Sequence, residues 1–301
     1  MNFPEQQRRN RQRTILLVGA FAALFLAIGL LSDLLIVGAP LPVATVVALG
    51  TATVVSLLGW RRGADWVLAS LLAEPLRDQD PEHRQLANIV DEMALAAGLP
   101  RPRLFVIPDP APNALATGTT PQRSAIAVTA GALALLDREE TQGVVAHEMA
   151  HIANRDTAVM TLVSILFGGL LMLADWARRS IFAARHGGRA APLPAYLLLP
   201  ALILLTPLLS RLLAMAVSRR REYQADATAV AFTRNPEGLA RALEKIAASE
   251  FPLRGATRGT AHLFIVTPLR RRVEPADDGW SSLFATHPPL AHRIALLRGQ
   301  A

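Results

Sequence analysis

The chain has 301 residues, a formal net charge of +7, 51% hydrophobic residues, a mean hydropathy of +0.30 and no cysteine. It is too apolar for an ordinary soluble domain of this size, and the missing cysteine excludes disulfides and thiolate metal sites. The basic charge is almost wholly arginine, with Lys245 the only lysine. It gathers at the edges of apolar runs without aromatic-basic stripes, which argues against a nucleic-acid partner.

Residues 14–36 form a long apolar run behind Arg8, Arg9, Arg11 and Arg13. The run is too long for a signal-peptide core. Pro40 and Pro42 make a short turn, and residues 43–60 form a second run that ends at Arg61 and Arg62. A span needs about 20 apolar residues, so the pair predicts a transmembrane hairpin. Its connecting segment carries Asp33 and no basic residue. The positive-inside rule then places both ends of the hairpin, and the domain that follows, in the cytoplasm.

Residues 63–76 set Val67, Leu68, Leu71 and Leu72 on one helical face beside Trp66. The pattern suits either a separate helix lying on the membrane surface or ordinary packing onto the next domain. Residues 81–97 have Leu86, Ile89, Val90, Met93 and Ala97 at helical spacing, with Gly98 as the stop. Residues 104–107 and 124–129 read as short strands. Residues 113–118 lie between them, where an extended substrate would add to an open sheet edge. Asn113 there fits either a carbonyl-binding role or a turn asparagine.

Asp137-Arg138-Glu139-Glu140 predicts a capping box opening a helix. That helix carries His147-Glu148-Met149-Ala150-His151, an H-E-x-x-H run. At i and i+4 the two imidazoles leave one helix face and can share one Zn2+ ion, with Glu148 placed as general base toward the attacking water. Small and apolar neighbours predict burial, and a buried histidine needs a partner.

Two further apolar runs follow, at 157–174 and 193–217, and predict a second membrane hairpin. Both metal helices read as extensions of these runs, so the metal lies close to the membrane surface. Arg178, Arg179, Arg185 and Arg189 fall in the expected connecting loop, on the wrong side for the positive-inside rule. Four spans are expected, the alternative being two spans and a shallow interfacial hairpin. Beyond them, Glu222 and Asp226 stand at i and i+4. Glu222 is the best third ligand, and Asp226 is placed to accept the free ring N–H of a ligating histidine. Asn235-Pro236 opens another helix. Residues 251–280 lack regular patterning and suit either a flap over the cleft or a solvated insertion. His287-Pro288-Pro289 precedes a last helix with Leu290, Ile294 and Leu297 on one face.

Taken together, H-E-M-A-H-I-A-N-R-D at 147–156, R-R-E-Y-Q-A-D-A at 220–227 and T-H-P-P-L-A-H-R-I at 286–294 resemble the HtpX family of membrane zinc endopeptidases, relatives of the CAAX prenyl proteases. P-N-A-L-A-T-G at 112–118 matches the family's segment beside the active site, with Leu115 where the family usually has Phe. The resemblance implies zinc-dependent endoproteolysis of misfolded or damaged membrane proteins at the bacterial inner membrane. It also implies His147, His151 and Glu222 as ligands, Glu148 as base, and Asn113, Ala114 and Gly118 along the substrate path. His287 is expected either to stabilise the oxyanion or to contact the zinc, and Arg293 to anchor its segment through Asp226 or a backbone carbonyl.

The expected architecture is mainly α with a small β-sheet: integral membrane helices joined to a zincin-like domain. The expected division is an arm and hairpin at 1–60, the first part of the protease domain at 61–156, a second membrane hairpin at 157–217 and the rest of the domain at 218–301. Expected partners are membrane-protein substrates, the lipid bilayer and other membrane quality-control proteases. Two other readings compete: a prenyl-protein protease, which should have more membrane helices, and a membrane adaptor without catalysis, which an intact Glu148 opposes.

Overall fold

The computed structural model describes residues 3–35, 41–77, 79–187, 196, 219–249, 251, 253–257, 259–266 and 288–299. The 193–217 run (apart from Tyr196), most of the expected flap, Arg189 and His287 lie outside the described residues. The helices are α1 (Phe3–Leu35), α2 (Val43–Ser70), α3 (Pro81–Ala97), α4 (Ala130–Leu135), α5 (Arg138–Ala153), α6 (Asp156–Gly187), α7 (Arg219–Thr233), α8 (Pro236–Ala248) and α9 (Leu290–Leu297). The strands are β1 (Glu74–Pro75), β2 (Arg103–Ile107), β3 (Ala114–Thr117) and β4 (Ala125–Thr129), in one sheet of order β1-β2-β4-β3. β2 and β4 run parallel; β1 and β3 are antiparallel to their neighbours.

Among the described residues, three helices are long and apolar enough to cross a membrane: Glu5–Leu34, Val43–Ser70 and Asp156–Ala184. α1 and α6 meet through Leu17, Phe21, Leu24 and Phe25 against Val159, Leu162, Val163 and Leu166. Ile15, Leu16, Leu30, Val46, Val54 and Met172 point outward, as lipid-facing side chains would. At the turn of the first hairpin Asp33 accepts from the backbone N–H groups of Ala44 and Thr45, both at 2.9 Å, and from the Thr45 hydroxyl at 2.6 Å. Those N–H groups open α2 and have no partner within their own helix.

The helix expected to start afresh at Gly63 is instead the end of α2, which runs through Arg61 and Arg62 to Ser70. Its apolar residues Val67, Leu68 and Leu71 pack on Ile107, Leu115, Ala125 and Ala127 of the sheet. Contact with the sheet, rather than a membrane surface, covers this face. The loop expected around Arg178 and Arg179 is also helix, because α6 continues to Gly187. Arg178 ion-pairs with Asp175 one turn back, an i,i+3 contact that suits a helix.

The rest of the described chain is built around α5. Every residue from Gly143 to Ala153 is buried, so beyond its first turn α5 has no solvent face. α3 supplies Leu86, Ile89, Val90 and Met93 on one side; Ala114, Ala116, Ile126 and Val128 of the sheet and Leu239, Leu243 and Ile246 of α8 supply others. Gly143 lets α8 approach closely: a Cβ there would lie 2.7 Å from the backbone nitrogen of Leu239. α3 starts on an Asp80 cap and stops at Gly98, which takes the left-handed conformation (φ 63°) that favours glycine.

Candidate metal centre

Three elements bring the site together. The capping box forms as expected: the Asp137 carboxylate accepts from Glu140 N–H, and the Glu140 carboxylate accepts from Asp137 N–H. It starts α5 in the phase that turns His147 and His151 to one side. α7 lies against α5 and presents Glu222 to the same point. Nε2 of His147 and Nε2 of His151 are 3.2 Å apart. The Glu222 carboxylate is 3.8 Å from the first and 3.6 Å from the second. All three side chains are buried, at 0%, 5% and 3% exposure.

A tetrahedral ion with bonds of about 2.0–2.1 Å separates its ligand atoms by about 3.3 Å. The three donors are already close to that spacing. Each outer ring nitrogen also faces a carboxylate. Nδ1 of His147 is 2.9 Å from Asp226, and Nδ1 of His151 is 3.2 Å from Asp156. A ring that donates from Nδ1 carries its lone pair on Nε2. Two lone pairs and a carboxylate then converge, an arrangement that a shared cation relieves. The donor set of two nitrogens and one oxygen fits a metal ion of the zinc type.

The site's protonation follows the same logic. Burial lowers the His147 ring below the ordinary imidazole value despite Asp226. Burial acts likewise on His151, but the hydrogen bond it donates to Asp156 and the charges of Glu222, Asp156 and Glu148 outweigh it, and the ring rises to about 9. That rise expresses the demand for positive charge at this point. Burial lifts the Glu148 carboxyl to about 7 against the pull of neighbouring His151. Glu148 follows His147 in α5 and sits against β3, accepting a hydrogen bond from the backbone N–H of Ala116.

Arg293, fully buried on α9, braces Asp226 from behind. Its Nε and one terminal nitrogen donate to the two carboxylate oxygens at 2.8 and 2.7 Å, and its other terminal nitrogen donates to the carbonyl of Ile265 at 3.1 Å. Burial raises the Asp226 pKa, yet Arg293 and His147 hold it below the usual carboxylate range.

β3, which carries the segment expected along the substrate path, is the edge strand, and the chain itself covers the start of that edge. Ile265 N–H donates to the carbonyl of Ala114 at 3.0 Å, and Leu115 bridges to Phe264. Asn113 holds this cover with its side chain, donating to the carbonyl of Val266 at 2.8 Å and accepting from Ala114 N–H at 3.0 Å. Gly118 N–H is taken by the Thr161 hydroxyl at 2.9 Å. Residues 264–266 thus cover the edge at Ala114 and Leu115, satisfying backbone groups that the sequence pattern left unassigned.

Other functional residues escape a sequence reading. Asp156 stands within the H-E-M-A-H-I-A-N-R-D string, five residues after His151, and its place behind that ligand follows only from the sharp turn at Arg155 (φ 58°). That turn separates α5 from α6, so the His147–His151 helix is not a straight continuation of a membrane helix. Arg221, also buried, lies 3.8 Å from Asp156.

With this geometry in place, likeness to known proteins is informative. The profile of Peptidase family M48 matches residues 80–301. The chain is 35% identical over 302 residues to a "Protease HtpX homolog" of Lactobacillus helveticus, covering 97% of this chain and 98% of that protein. It is 46% identical over 226 residues to the homologue of Caldanaerobacter subterraneus, covering 73% of each. Among solved structures, the crystal structure of S. mikatae Ste24p shares the fold with a TM-score of 0.50 at 20% identity, over 97% of this chain and 66% of that one. The membrane-length helices, the H-E-x-x-H helix and these relatives agree, and the chain belongs to peptidase family M48 as a multi-pass membrane metallopeptidase of the HtpX type.

Proposed function

We propose that this protein is a zinc endopeptidase that cleaves misfolded or damaged membrane proteins on the cytoplasmic side of a bacterial inner membrane. The observation that carries the reading is the convergence of His147, His151 and Glu222 within 4.8 Å of one another, one residue from the buried carboxyl of Glu148. When bound, zinc supplies Lewis acidity at the scissile carbonyl and lowers the pKa of the attacking water. His147, His151 and Glu222 hold it. Asp226 and Asp156 keep both rings donating outward, so that both Nε2 lone pairs face the metal. Glu148 takes the proton of the attacking water and delivers it to the leaving amine nitrogen. His287 donates to the carbonyl oxygen as negative charge develops there.

The orientation rests on charge and length. Arg8, Arg9, Arg11 and Arg13 flank the end of α1 that meets the metal centre, and the hairpin turn at the other end carries Asp33. α6 is long and apolar enough over Asp156–Ala184 to cross a membrane, which favours a full crossing over a shallow hairpin.

The test is proteolysis of casein and of a misfolded membrane protein by the detergent-purified chain. Activity should vanish with chelator and return with zinc. Glu148→Gln should retain zinc and lose roughly 10²–10⁴-fold in turnover. Undiminished cleavage by that variant would remove Glu148 from its role. In this cysteine-free chain, a single cysteine at Gly187 should label with a membrane-impermeant reagent from outside intact cells, whereas one at Gln142 should not; the reverse pattern would invert the orientation.

A further inference from the structure

The first membrane helix reaches the metal centre. Nδ2 of Asn10 donates to Oδ1 of Asp156 at 2.7 Å and to the carbonyl of Asn154 at 3.0 Å. The other oxygen of Asp156 is the one that faces His151. One turn earlier on α1, Gln7 donates to the carbonyl of Ala153 at 3.0 Å. Asn10 and Asp156 are buried, at 1% and 0% exposure. These contacts land on the break between α5 and α6. The carbonyls of Ala153 and Asn154 end α5, where a helix has no donors of its own left to offer.

Anchoring in lipid requires apolar side chains facing outward. It does not require a buried amide aimed at the carboxylate behind a metal ligand. A carboxylate with rotational freedom would hold an imidazole loosely. Asn10 takes one oxygen of Asp156 and leaves the other directed at Nδ1 of His151.

We propose that Asn10 is a positioning residue of the metal centre. It orients Asp156, which sets the ring orientation and tautomer of His151, so the first membrane helix forms part of the site as well as anchoring it. This inference rests on the metal reading above. Gln7 is the internal control: it docks the same helix to the same break without touching Asp156.

The test uses the full chain in detergent, with Asn10→Ala, Gln7→Ala, Asp156→Asn and the double variant Asn10→Ala/Asp156→Asn. The readouts are zinc affinity against a competing chelator, the visible absorption spectrum after loading with Co2+, and thermal midpoint. Asn10→Ala should weaken metal binding by about tenfold or more and shift the Co2+ bands. Gln7→Ala should lower the thermal midpoint but leave affinity and spectrum at wild type. In the Asp156→Asn background, Asn10→Ala should change affinity by less than about twofold. Wild-type affinity and spectrum in Asn10→Ala, or full additivity in the double variant, would reduce Asn10 to a docking contact. If Asn10→Ala does not fold, Asn10→Ser, whose hydroxyl is too short to span the same distance, carries the same expectation. A wild-type chain that takes up neither Zn2+ nor Co2+ would overturn the metallopeptidase reading and the positioning role with it.

Discussion

The carboxylates behind the two histidines are neutralised in different ways. Asp226, behind His147, is held on both oxygens by the guanidinium of Arg293 at 2.7–2.8 Å. Asp156, behind His151, takes the neutral amide of Asn10 at 2.7 Å, with the Arg221 guanidinium 3.8 Å away. Burial lowers both rings, but only His151 ends above the ordinary value, at about 9, while His147 stays below it. His151 is raised by its hydrogen bond to Asp156 and by the charges of Glu222, Asp156 and Glu148, whereas the charges of Arg293 and His151 add to the burial that lowers His147. The two supports also come from opposite ends of the chain: the C-terminal helix braces one ligand and the first membrane helix the other.

The ligand shared by both sides should be the most sensitive. Glu222→Ala should abolish stoichiometric zinc uptake and proteolysis together; normal zinc content in that variant would send the search for a third ligand to Asp226. Next, Arg293→Ala should destabilise the fold by about 3–5 kcal/mol, because it leaves a buried carboxylate uncompensated. Denaturant unfolding would measure this, and a loss below about 1 kcal/mol would deny the clamp its role. Asp226→Asn and Asp156→Asn should each weaken zinc binding by about 10–100-fold. The comparison sharpens if Asp156→Asn also shifts the Co2+ spectrum more than Asp226→Asn does, since Asp156 is the less compensated carboxylate. Asp137→Ala should have the smallest effect. It removes the cap of α5 far from either support, at a cost of about 1 kcal/mol, with zinc affinity unchanged when measured well below the thermal midpoint.

Much of this was legible locally. The capping box, the i,i+4 histidines and the Glu222/Asp226 pair all lie within single helices, where spacing alone decides which side chains share a face. The strands at Arg103–Ile107 and Ala125–Thr129 showed as short apolar runs. β3 did not, because Ala114–Thr117 is short and lacks the alternation that marks a half-buried strand; it is buried on both faces. Nor did the continuation of α2 beyond Arg62, since a pair of arginines looks like the end of a span when only the bilayer is considered.

By itself, then, the sequence pointed to the chemistry: the two histidines and the carboxylate proposed to hold a metal, the glutamate proposed to move a proton, and the apolar runs of a membrane protein. These are properties of neighbours along one helix. Only the tertiary structure decided the support: that Asn10 stands behind Asp156, that Arg293 clamps Asp226 and that residues 264–266 cover the start of the β3 edge. Those contacts join residues 67 to 153 positions apart. No local periodicity encodes them, because they follow from which buried polar groups the folded chain leaves within hydrogen-bonding reach of one another.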